Sequence, residues 1–259
     1  MVRHFLPKGL QIPTPMKLIR FALSASLFAS VSCLAVAQDL TPLRTAMQVK
    51  WPKNRSLQIV FHGHSVPAGY HKTPEVRTFE SYPHLFHVWL KQRYPHAVIN
   101  VIVTAIGGED SLAGSVRFER DVLPYRPDLI FIDYALNDML KPIADVEKSW
   151  RAMIELAKKS RIPVVLMTPT GEENADMKNP ENPLRQRADL IRRLAKEESV
   201  LVADVSAAWL AEMEKGTPQA ELLSQVNHPN LRGHQIALGA IVECLQLEPA
   251  KLEETNGSQ

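Results

Sequence analysis

Short runs of apolar and β-branched residues alternate with longer segments of helical spacing from about residue 55 onward. The runs predict strands at residues 56–61, 98–103, 128–133, 162–167 and 200–204. Nearly continuous apolar strands of this kind are typical of a parallel sheet that is covered on both faces.

Between these strands, apolar residues recur at steps of three and four. This spacing predicts helices at residues 79–94, 146–160, 183–197 and 232–247. Strands and helices that alternate in this way form right-handed βαβ units, so we expect residues 55–247 to fold as a three-layer α/β/α sandwich. The central sheet would be parallel, with about five strands, and its functional groups would gather at the carboxyl ends of the strands.

The loop at residues 168–182 follows the fourth predicted strand and is rich in Pro, Gly, Asn and acidic residues. One interpretation is a solvated connection. Its position at the carboxyl end of a strand makes a loop on the substrate side the alternative.

The first 37 residues have the pattern of a signal peptide. A basic start at Met16 to Arg20, which is the better start of translation, precedes an apolar run at residues 21–34, and Ala35-Val36-Ala37 provides the cleavage site. We expect an exported protein, periplasmic or secreted, without stable membrane insertion after cleavage; an uncleaved anchor is the alternative. Residues 38–54 are expected to be a linker, and residues 248–259 a polar tail.

The charge of the chain gives no reason to expect a nucleic-acid partner. It has 30 Lys and Arg and 28 Asp and Glu. Removing the four basic residues of segment 1–37 leaves 26 basic side chains, and a net charge near −2 does not attract an anionic polymer. Because Cys33 lies in the predicted signal, Cys244 is left without an internal disulfide partner.

Ser65 directly follows the first predicted strand and lies between Gly63 and Gly69. A serine in this position can sit on a tight turn with its hydroxyl exposed at the edge of the sheet. The Gly-x-Ser-x-Gly elbow is excluded because Pro67 occupies its last position, and Ala68 excludes a Ser-x-x-Lys pattern. Taken alone, the segment is better explained by an ordinary turn serine.

Three further segments at the same predicted edge change this interpretation. Gly108 follows the second strand, Asn137 follows the third, and His228 precedes the last helix. Ser65 can attack a carbonyl carbon while His228 accepts its proton. The backbone N–H groups of Ser65 and Gly108, with the side-chain amide of Asn137, then form a candidate oxyanion hole.

Together, these four segments resemble the four blocks of the SGNH (GDSL-type) hydrolases, a family named for Ser, Gly, Asn and His. The resemblance spans residues 61–234 and follows the order and spacing of the family. It implies a flavodoxin-like α/β/α fold, catalysis by Ser65 and His228 without a metal or organic cofactor, and esterase, lipase, thioesterase or carbohydrate deacetylase activity.

The sequence departs from the family pattern at three positions. His64 replaces the aspartate before the nucleophile, and Ala135 replaces a glycine in the Asn137 block. Gln225 occupies the place of the aspartate three residues before His228, where its oxygen could accept the imidazole N–H but brings no charge.

Three explanations for the missing aspartate remain open. The enzyme works as a Ser-His dyad, another carboxylate substitutes, or catalysis is impaired. The candidate carboxylates are those of Asp204, Glu172 and Glu173.

His62 and His64 alternate on a strand and would share a face, as two metal ligands do. No third ligand with a matching spacing follows, so side-chain packing is the preferred interpretation.

These observations favour an exported serine esterase that hydrolyses a small carboxylic ester, such as an O-acetylated carbohydrate, through an acyl-serine intermediate. Within the same family, a lipase or thioesterase is the alternative. A hypothesis of another class is a catalytically impaired domain that binds a glycan or cell-wall partner.

Overall fold

A five-stranded parallel sheet forms the centre of residues 38–247, the part of the chain that the computed structural model describes. Its strands follow the order β2-β1-β3-β4-β5. A short antiparallel hairpin, β6-β7, lies outside this sheet. The strands are β1 (Ser56–Gly63), β2 (Val98–Val103), β3 (Leu129–Asp133), β4 (Val164–Met167), β5 (Leu201–Ala203), β6 (Leu223–Gln225) and β7 (His228–Pro229).

Helices cover both faces of the sheet. They are α1 (Thr41–Gln48), α2 (Ser65–Ala68), α3 (Tyr82–Arg93), α4 (Ser111–Asp121), α5 (Ala135–Asp138), α6 (Ile143–Lys159), α7 (Pro183–Glu198), α8 (Val205–Glu214) and α9 (Leu231–Leu245), with 3₁₀ turns at Thr78–Glu80, Leu123–Tyr125 and Gln219–Leu222. Helices α1, α3 and α9 pack on one face. Helices α4, α6 and α7 pack mainly on the other face.

Neighbouring strand residues enter opposite cores because side chains alternate along a strand. In β1, Ile59 and Phe61 belong to the core under α3 and α9, whereas Val60 belongs to the core under α4 and α6. Each Å² of apolar surface that is removed from water stabilises the fold by about 25 cal/mol. Because both faces of the sheet are buried, apolar residues are favoured at every position of the strands.

This architecture confirms the predicted three-layer α/β/α sandwich with its central parallel sheet of five strands. Each predicted strand is present, and the four predicted helices correspond to α3, α6, α7 and α9. Helices α4 and α8 were not predicted.

The segment 38–54 is more than the linker that the sequence predicted, because it contains α1. Leu43 and Met47 on this helix are buried in the core beneath α3 and α9. Their spacing of four residues places both side chains on one helix face, and this apolar face explains the docking.

The predicted signal peptide at residues 1–37 and the predicted tail at residues 248–259 lie outside the described residues. Within residues 38–247, no helix is both long and apolar enough to cross a membrane.

The register of the sheet determines which loops meet. Strand β1 lies between β2 and β3, and Gly63 at its end pairs with Asp133 at the end of β3. The loops after β1, β2 and β3 therefore leave the same edge side by side. The segments that follow the three strands carry Ser65 in α2, Gly108 in a loop and Asn137 in α5.

Candidate active site

Ser65 occupies the first residue of α2, immediately after β1. His64 is the N-cap residue of this single-turn helix, and Gly69 ends it with a φ of +91°. At Gly69 a left-handed conformation is needed, which explains the glycine. A Cβ atom at Gly63 would lie 2.5 Å from the carbonyl oxygen of Asp133, so glycine is also required where β1 meets β3.

His228 reaches Ser65 from the β6-β7 hairpin. Its Nε2 atom lies 3.0 Å from Ser65 Oγ, a hydrogen-bonding distance between a nucleophile and a base. The two residues are 163 positions apart in the chain. Asn230, which caps the N-terminus of α9 through a bond to Gly233 N–H, fixes the end of the hairpin just after His228.

The other imidazole nitrogen of His228 contacts a main-chain carbonyl. Nδ1 lies 2.9 Å from the carbonyl oxygen of His71. With the hydrogen of the neutral ring on Nδ1, His228 donates to His71 and keeps Nε2 free to accept the Ser65 proton. The backbone carbonyl therefore orients the ring, although it carries no charge.

Gln225 also lies beside His228, but it presents its amide nitrogen. Its Oε1 atom accepts a 2.8 Å bond from the backbone N–H of Thr73, which leaves Nε2 at 3.0 Å from His228 Nδ1. The expectation that the Gln225 oxygen accepts the imidazole N–H is therefore wrong. The oxygen instead fixes the loop that carries the His71 carbonyl.

Two of the three candidate carboxylates, those of Asp204 and Glu172, have other partners. Asp204 pairs with Arg192, accepts a bond from Thr168 and caps the N-terminus of α8. The Glu172 carboxylate accepts a bond from the backbone N–H of Asn174. Among the described residues, neither these groups nor Glu173 forms an ion pair with His228.

Burial lowers the pKa of His228 below its ordinary value, and nearby His64 and His71 lower it further, while the bond to the His71 carbonyl acts in the opposite direction. The imidazole is consequently neutral at neutral pH, the form that can accept a proton.

Gly108 and Asn137 lie on the loops that flank Ser65. Gly108 has a φ of +78°, and a Cβ atom there would face open space, so its left-handed backbone explains the glycine. Asn137 donates one amide hydrogen to the carbonyl oxygen of Glu109 at 2.8 Å, which leaves its second hydrogen available. No main-chain acceptor among the described residues takes the N–H of Ser65 or Gly108.

Ala135, where the family has glycine, has a backbone conformation that any residue can adopt. It is fully buried at the first position of α5, and it is absent from the described residues with a positive φ. A glycine is therefore not needed at this position.

A buried ion pair supports the loop after Gly108. Arg117 on α4 donates to the Glu109 carboxylate through Nε at 2.8 Å and also through a terminal nitrogen. The Tyr134 hydroxyl donates to the same carboxylate at 2.9 Å. This cluster fixes Glu109, whose carbonyl orients Asn137, and the sequence analysis did not identify it.

Asp138 connects the Asn137 turn to α4 and α6. One carboxylate oxygen accepts a 2.8 Å bond from the backbone N–H of Ser111, and the other accepts a 2.7 Å bond from Trp150 Nε1. Burial raises the pKa of Asp138, whereas these two bonds lower it. Asp138 thus has a structural role next to the site.

The loop at residues 168–182 contacts the histidine hairpin. Glu173 N–H donates to the carbonyl oxygen of Val226 at 2.7 Å, and Gln219 Nε2 donates to the carbonyl oxygen of Glu172. Met177 is buried in the core. The loop is therefore packed against the segment that carries His228.

His62 and His64 have separate partners. His62 contacts Thr104 Oγ1 through Nδ1 and the Gly114 carbonyl through Nε2, which explains its burial. His64 contacts Asp133 and the backbone of α2. In the described part of the chain, no group of three or more His, Cys, Asp or Glu residues is arranged to hold a metal ion.

Comparison with known proteins identifies relatives of this arrangement. Residues 61–236 match the model of the GDSL-like lipase/acylhydrolase family. An acetylxylan esterase from Geobacillus stearothermophilus is 25% identical over 175 residues, which cover 61% of this chain and 78% of that protein.

Solved structures share the fold. The crystal structure of an acetylxylan esterase from Geobacillus stearothermophilus gives a TM-score of 0.66 at 22% identity, over 76% of this chain and 97% of that one. A Parabacteroides merdae protein assigned as a GDSL-like lipase gives 0.65 at 19% identity, over 77% and 100%. Catalytic mutants of the Geobacillus esterase replace a serine, a histidine and an aspartate three residues before that histidine.

Proposed function

This chain belongs to the GDSL-like lipase/acylhydrolase family and is a carboxylic-ester hydrolase, and we propose that it removes acetyl groups from a carbohydrate through an acyl-serine intermediate. The observation that carries the mechanism is the 3.0 Å contact between Ser65 Oγ and His228 Nε2. A nucleophile and a neutral base at this distance are what acyl transfer requires.

In the first step, Ser65 Oγ bonds to the carbonyl carbon of the ester while its proton passes to His228 Nε2. The imidazolium returns this proton to the alcohol oxygen as the ester bond breaks, and the acyl group stays on Ser65. Water then attacks the acyl-serine with His228 again as the base, releasing the carboxylic acid and restoring the serine.

The negative charge of each tetrahedral intermediate falls on the former carbonyl oxygen. The N–H groups of Ser65 and Gly108 and the free amide hydrogen of Asn137 are the donors that we assign to it. Donors fixed in advance stabilise a charge that exists only near the transition state, and loss of one typically lowers turnover by about a hundred- to a thousandfold.

In place of the aspartate of the Geobacillus esterase, this chain uses the His71 carbonyl. It accepts the Nδ1 hydrogen at 2.9 Å and so selects the productive tautomer. The enzyme therefore works with a serine, a histidine and a main-chain oxygen.

The nucleophile is closely surrounded by side chains, which favours a small acyl group. Ser65 is only 5% exposed, and the Tyr70 ring lies 5.8 Å from the His228 ring. Tyr70 also lies against Gly107, where an added Cβ atom would come within 2.8 Å of the phenol ring. The acetylxylan esterase relative supports acetate as the acyl group and a carbohydrate as the alcohol.

We also propose that the enzyme acts outside the cytoplasm. The support is the signal-peptide pattern of residues 1–37, with cleavage before Gln38. Expression of the whole chain in a bacterial host, followed by mass spectrometry of the periplasmic fraction, tests this location. A mature chain that begins at Gln38 is expected, and an unprocessed cytoplasmic chain would contradict it.

The substrate is tested by acetate release from acetylated xylo-oligosaccharides, together with hydrolysis of p-nitrophenyl acetate and p-nitrophenyl palmitate. We expect acetate release that is lost in Ser65→Ala, and at least about tenfold faster hydrolysis of the acetyl than of the palmitoyl ester. Faster cleavage of the long chain would indicate a lipase. Saccharide binding without hydrolysis of any ester would indicate a binding domain.

A further inference from the structure

A second histidine lies against the nucleophile, on an element that does not carry His228. His64 Nδ1 is 3.5 Å from Ser65 Oγ, and His64 Nε2 is 3.4 Å from Asp133 Oδ1. His64 and Asp133 are buried, with 1% and 5% of their surface exposed. A continuous line of contacts therefore runs from Asp133 through His64 to Ser65 and His228.

The contacts of His64 define its neutral form. Nδ1 accepts a bond from the backbone N–H of Val66 at 3.3 Å, so the hydrogen of the neutral ring is on Nε2. Nε2 lies 3.4 Å from Asp133 Oδ1, within ion-pair distance, and makes no hydrogen bond among the described residues. The imidazole thus caps α2 with one nitrogen and faces the carboxylate with the other.

Asp133 is the carboxylate of this buried cluster, and its two oxygens have different neighbours. The Tyr82 hydroxyl donates to its second oxygen at 2.8 Å. Burial and the adjacent carboxylate raise the pKa of Tyr82, so the phenol keeps its proton. Burial lowers the pKa of His234, whose Nδ1 accepts the Tyr82 backbone N–H, to about 3, so this ring is neutral.

The hairpin side of the site has no comparable charge. His228 donates to an uncharged carbonyl and faces the amide nitrogen of Gln225. An imidazolium formed during catalysis would gain no stabilisation from a carboxylate on that side. A negative charge on the far side of Ser65 would act on the same imidazolium through space, and more strongly than in water because the cluster is buried.

We propose that Asp133 and His64 form a positioning pair, in which His64 lies between Ser65 and the Asp133 carboxylate and orients this carboxylate as the negative charge that stabilises protonated His228. This inference rests on the proposed function. It assigns a role to His64, where the family has aspartate, because a carboxylate at position 64 would repel Asp133. It also explains Gly63, since any side chain there would separate the ends of β1 and β3.

The test compares two substitutions of His64, each of which retains one of its two functions: the donor that faces Asp133 or the acceptor that caps α2. Gln keeps a donor at the Nε2 position and thus keeps Asp133 paired, but it is a poor N-cap residue. Asn is a preferred N-cap residue but cannot reach Asp133. We expect His64→Gln to retain at least about tenfold more kcat than His64→Asn, with KM little changed in both. The reverse order would assign His64 to helix capping alone and overturn the proposal.

The charge is tested by Asp133→Asn through the pH profile of kcat/KM. Without the carboxylate, protonated His228 is less stable and its pKa falls. The acid limb should therefore move to lower pH by about one unit, and kcat should fall about tenfold, since one pKa unit corresponds to a factor of about ten. The other groups that face His228 are His71, which is paired with Glu75, and the Tyr70 ring. The Asp133→Asn substitution alters neither of them. An unmoved limb with wild-type kcat would overturn the proposal.

His62→Asn is the matched control, because His62 is a buried histidine on the same strand that contacts neither Ser65 nor Asp133. We expect lower stability but an unchanged pH limb. Combining His64→Asn with Asp133→Asn should cost little more than either change alone, since the two residues act as one unit. Additive losses would count against the pair.

Labelling by a fluorophosphonate separates this inference from the proposed substrate. The Ser65 Oγ–P bond forms while fluoride leaves and the Oγ proton passes to His228, so the rate reports the activated serine without any ester. We expect the labelling rate to fall in Asp133→Asn and His64→Asn, and less in His64→Gln. Ser65-dependent turnover with equal labelling rates in all variants would refute the pair and leave the esterase standing. A wild-type serine that is not labelled would refute both.

Discussion

At the scale of single residues, the contact of His228 Nδ1 with the His71 carbonyl determines how this site differs from a serine-histidine-aspartate triad. A carbonyl selects the tautomer but does not neutralise the imidazolium. Gln225 has the complementary task of fixing the loop, because its amide bonds both the N–H and the hydroxyl of Thr73.

Gln225→Asp places a carboxylate next to His228 and tests this division of roles. The added negative charge favours the imidazolium and raises the pKa of His228. Because the base works only when it is unprotonated, activity falls as pH drops through this pKa, and the acid limb of kcat/KM should move to higher pH. The wild-type limb should lie below about pH 6.5, the ordinary value for histidine, since burial lowers the pKa.

The measurement is kcat/KM for p-nitrophenyl acetate from pH 5 to pH 9, with Gln225→Glu as the control for side-chain length. An acid limb that stays in place in Gln225→Asp would show that position 225 does not face the catalytic ring in solution.

Asn137→Ala tests the oxyanion hole. The amide donor is most useful when the carbonyl oxygen becomes negative, so we expect kcat to fall by about a hundredfold with little change in KM. Steady-state kinetics give both constants. A change confined to KM would assign Asn137 to substrate binding instead.

The residues of the site differ in how visible they are in the sequence. Ser65, Gly108, Asn137 and His228 stand in recognisable blocks, and the structure brings them to one edge of the sheet. The partner of His228 could not be found in this way, because every residue has a carbonyl and only the folded loop shows which one is used.

At the scale of elements, α4 stabilises the loop that carries Gly108. Its Arg117 binds the Glu109 carboxylate together with Tyr134. Gly114 allows α4 to approach Tyr134, the residue after β3, since an added Cβ atom would overlap the Tyr134 ring. Gly114 therefore affects Asn137 indirectly: it leaves room for Tyr134, which binds the Glu109 carboxylate, and the Glu109 carbonyl orients Asn137.

Gly114→Ala should displace Tyr134 and destabilise the fold by about 1–3 kcal/mol, the usual cost of overpacking a buried contact. It should also lower kcat, because Glu109 loses a hydrogen-bond partner. Urea unfolding and kinetics measure the two effects.

Gly239→Ala is the matched control on α9. A Cβ atom there meets nothing within 4 Å, so alanine should stabilise the helix by about 0.5–1 kcal/mol and leave kcat unchanged. Equal stability of the two variants would show that the contact between Gly114 and Tyr134 is not tight.

Helix α4 also shows where prediction from the sequence ended. The strands and the helices α3, α6, α7 and α9 follow from apolar runs and helical spacing, because burial on both faces leaves a strong pattern. Helix α4 contains Gly114 and few apolar residues, while α8 has apolar residues around most of its circumference. On the buried face of α4, Phe118 is the one large apolar residue beside Ser111, Gly114 and Arg117, so apolar spacing does not reveal this helix.

At the scale of the whole molecule, buried histidines connect stability to pH. Burial lowers the pKa of His62 to about 4 and that of His234 to about 3. The unfolded chain takes up these protons near pH 6.5, whereas the folded protein does not until the lower values. Stability is therefore fully present above about pH 6.5 and falls as the pH decreases toward 4 and 3.

Each histidine should contribute a slope of up to about 1.4 kcal/mol per pH unit in this interval. Urea unfolding of wild type and His62→Asn from pH 7 to pH 4.5 tests the assignment, because the variant should lose stability more gradually. The same slope in both proteins would show that His62 is already protonated or exposed in the folded state.

Every step of the proposed reaction depends on Ser65 and His228 acting together as nucleophile and base. Its most direct test is the hydrolysis of p-nitrophenyl acetate by wild type and Ser65→Ala across neutral to alkaline pH. We expect release of p-nitrophenol that requires Ser65 and reaches a plateau once His228 is unprotonated. Equal release by Ser65→Ala, or release that rises through neutral pH without a plateau, would contradict the proposed mechanism.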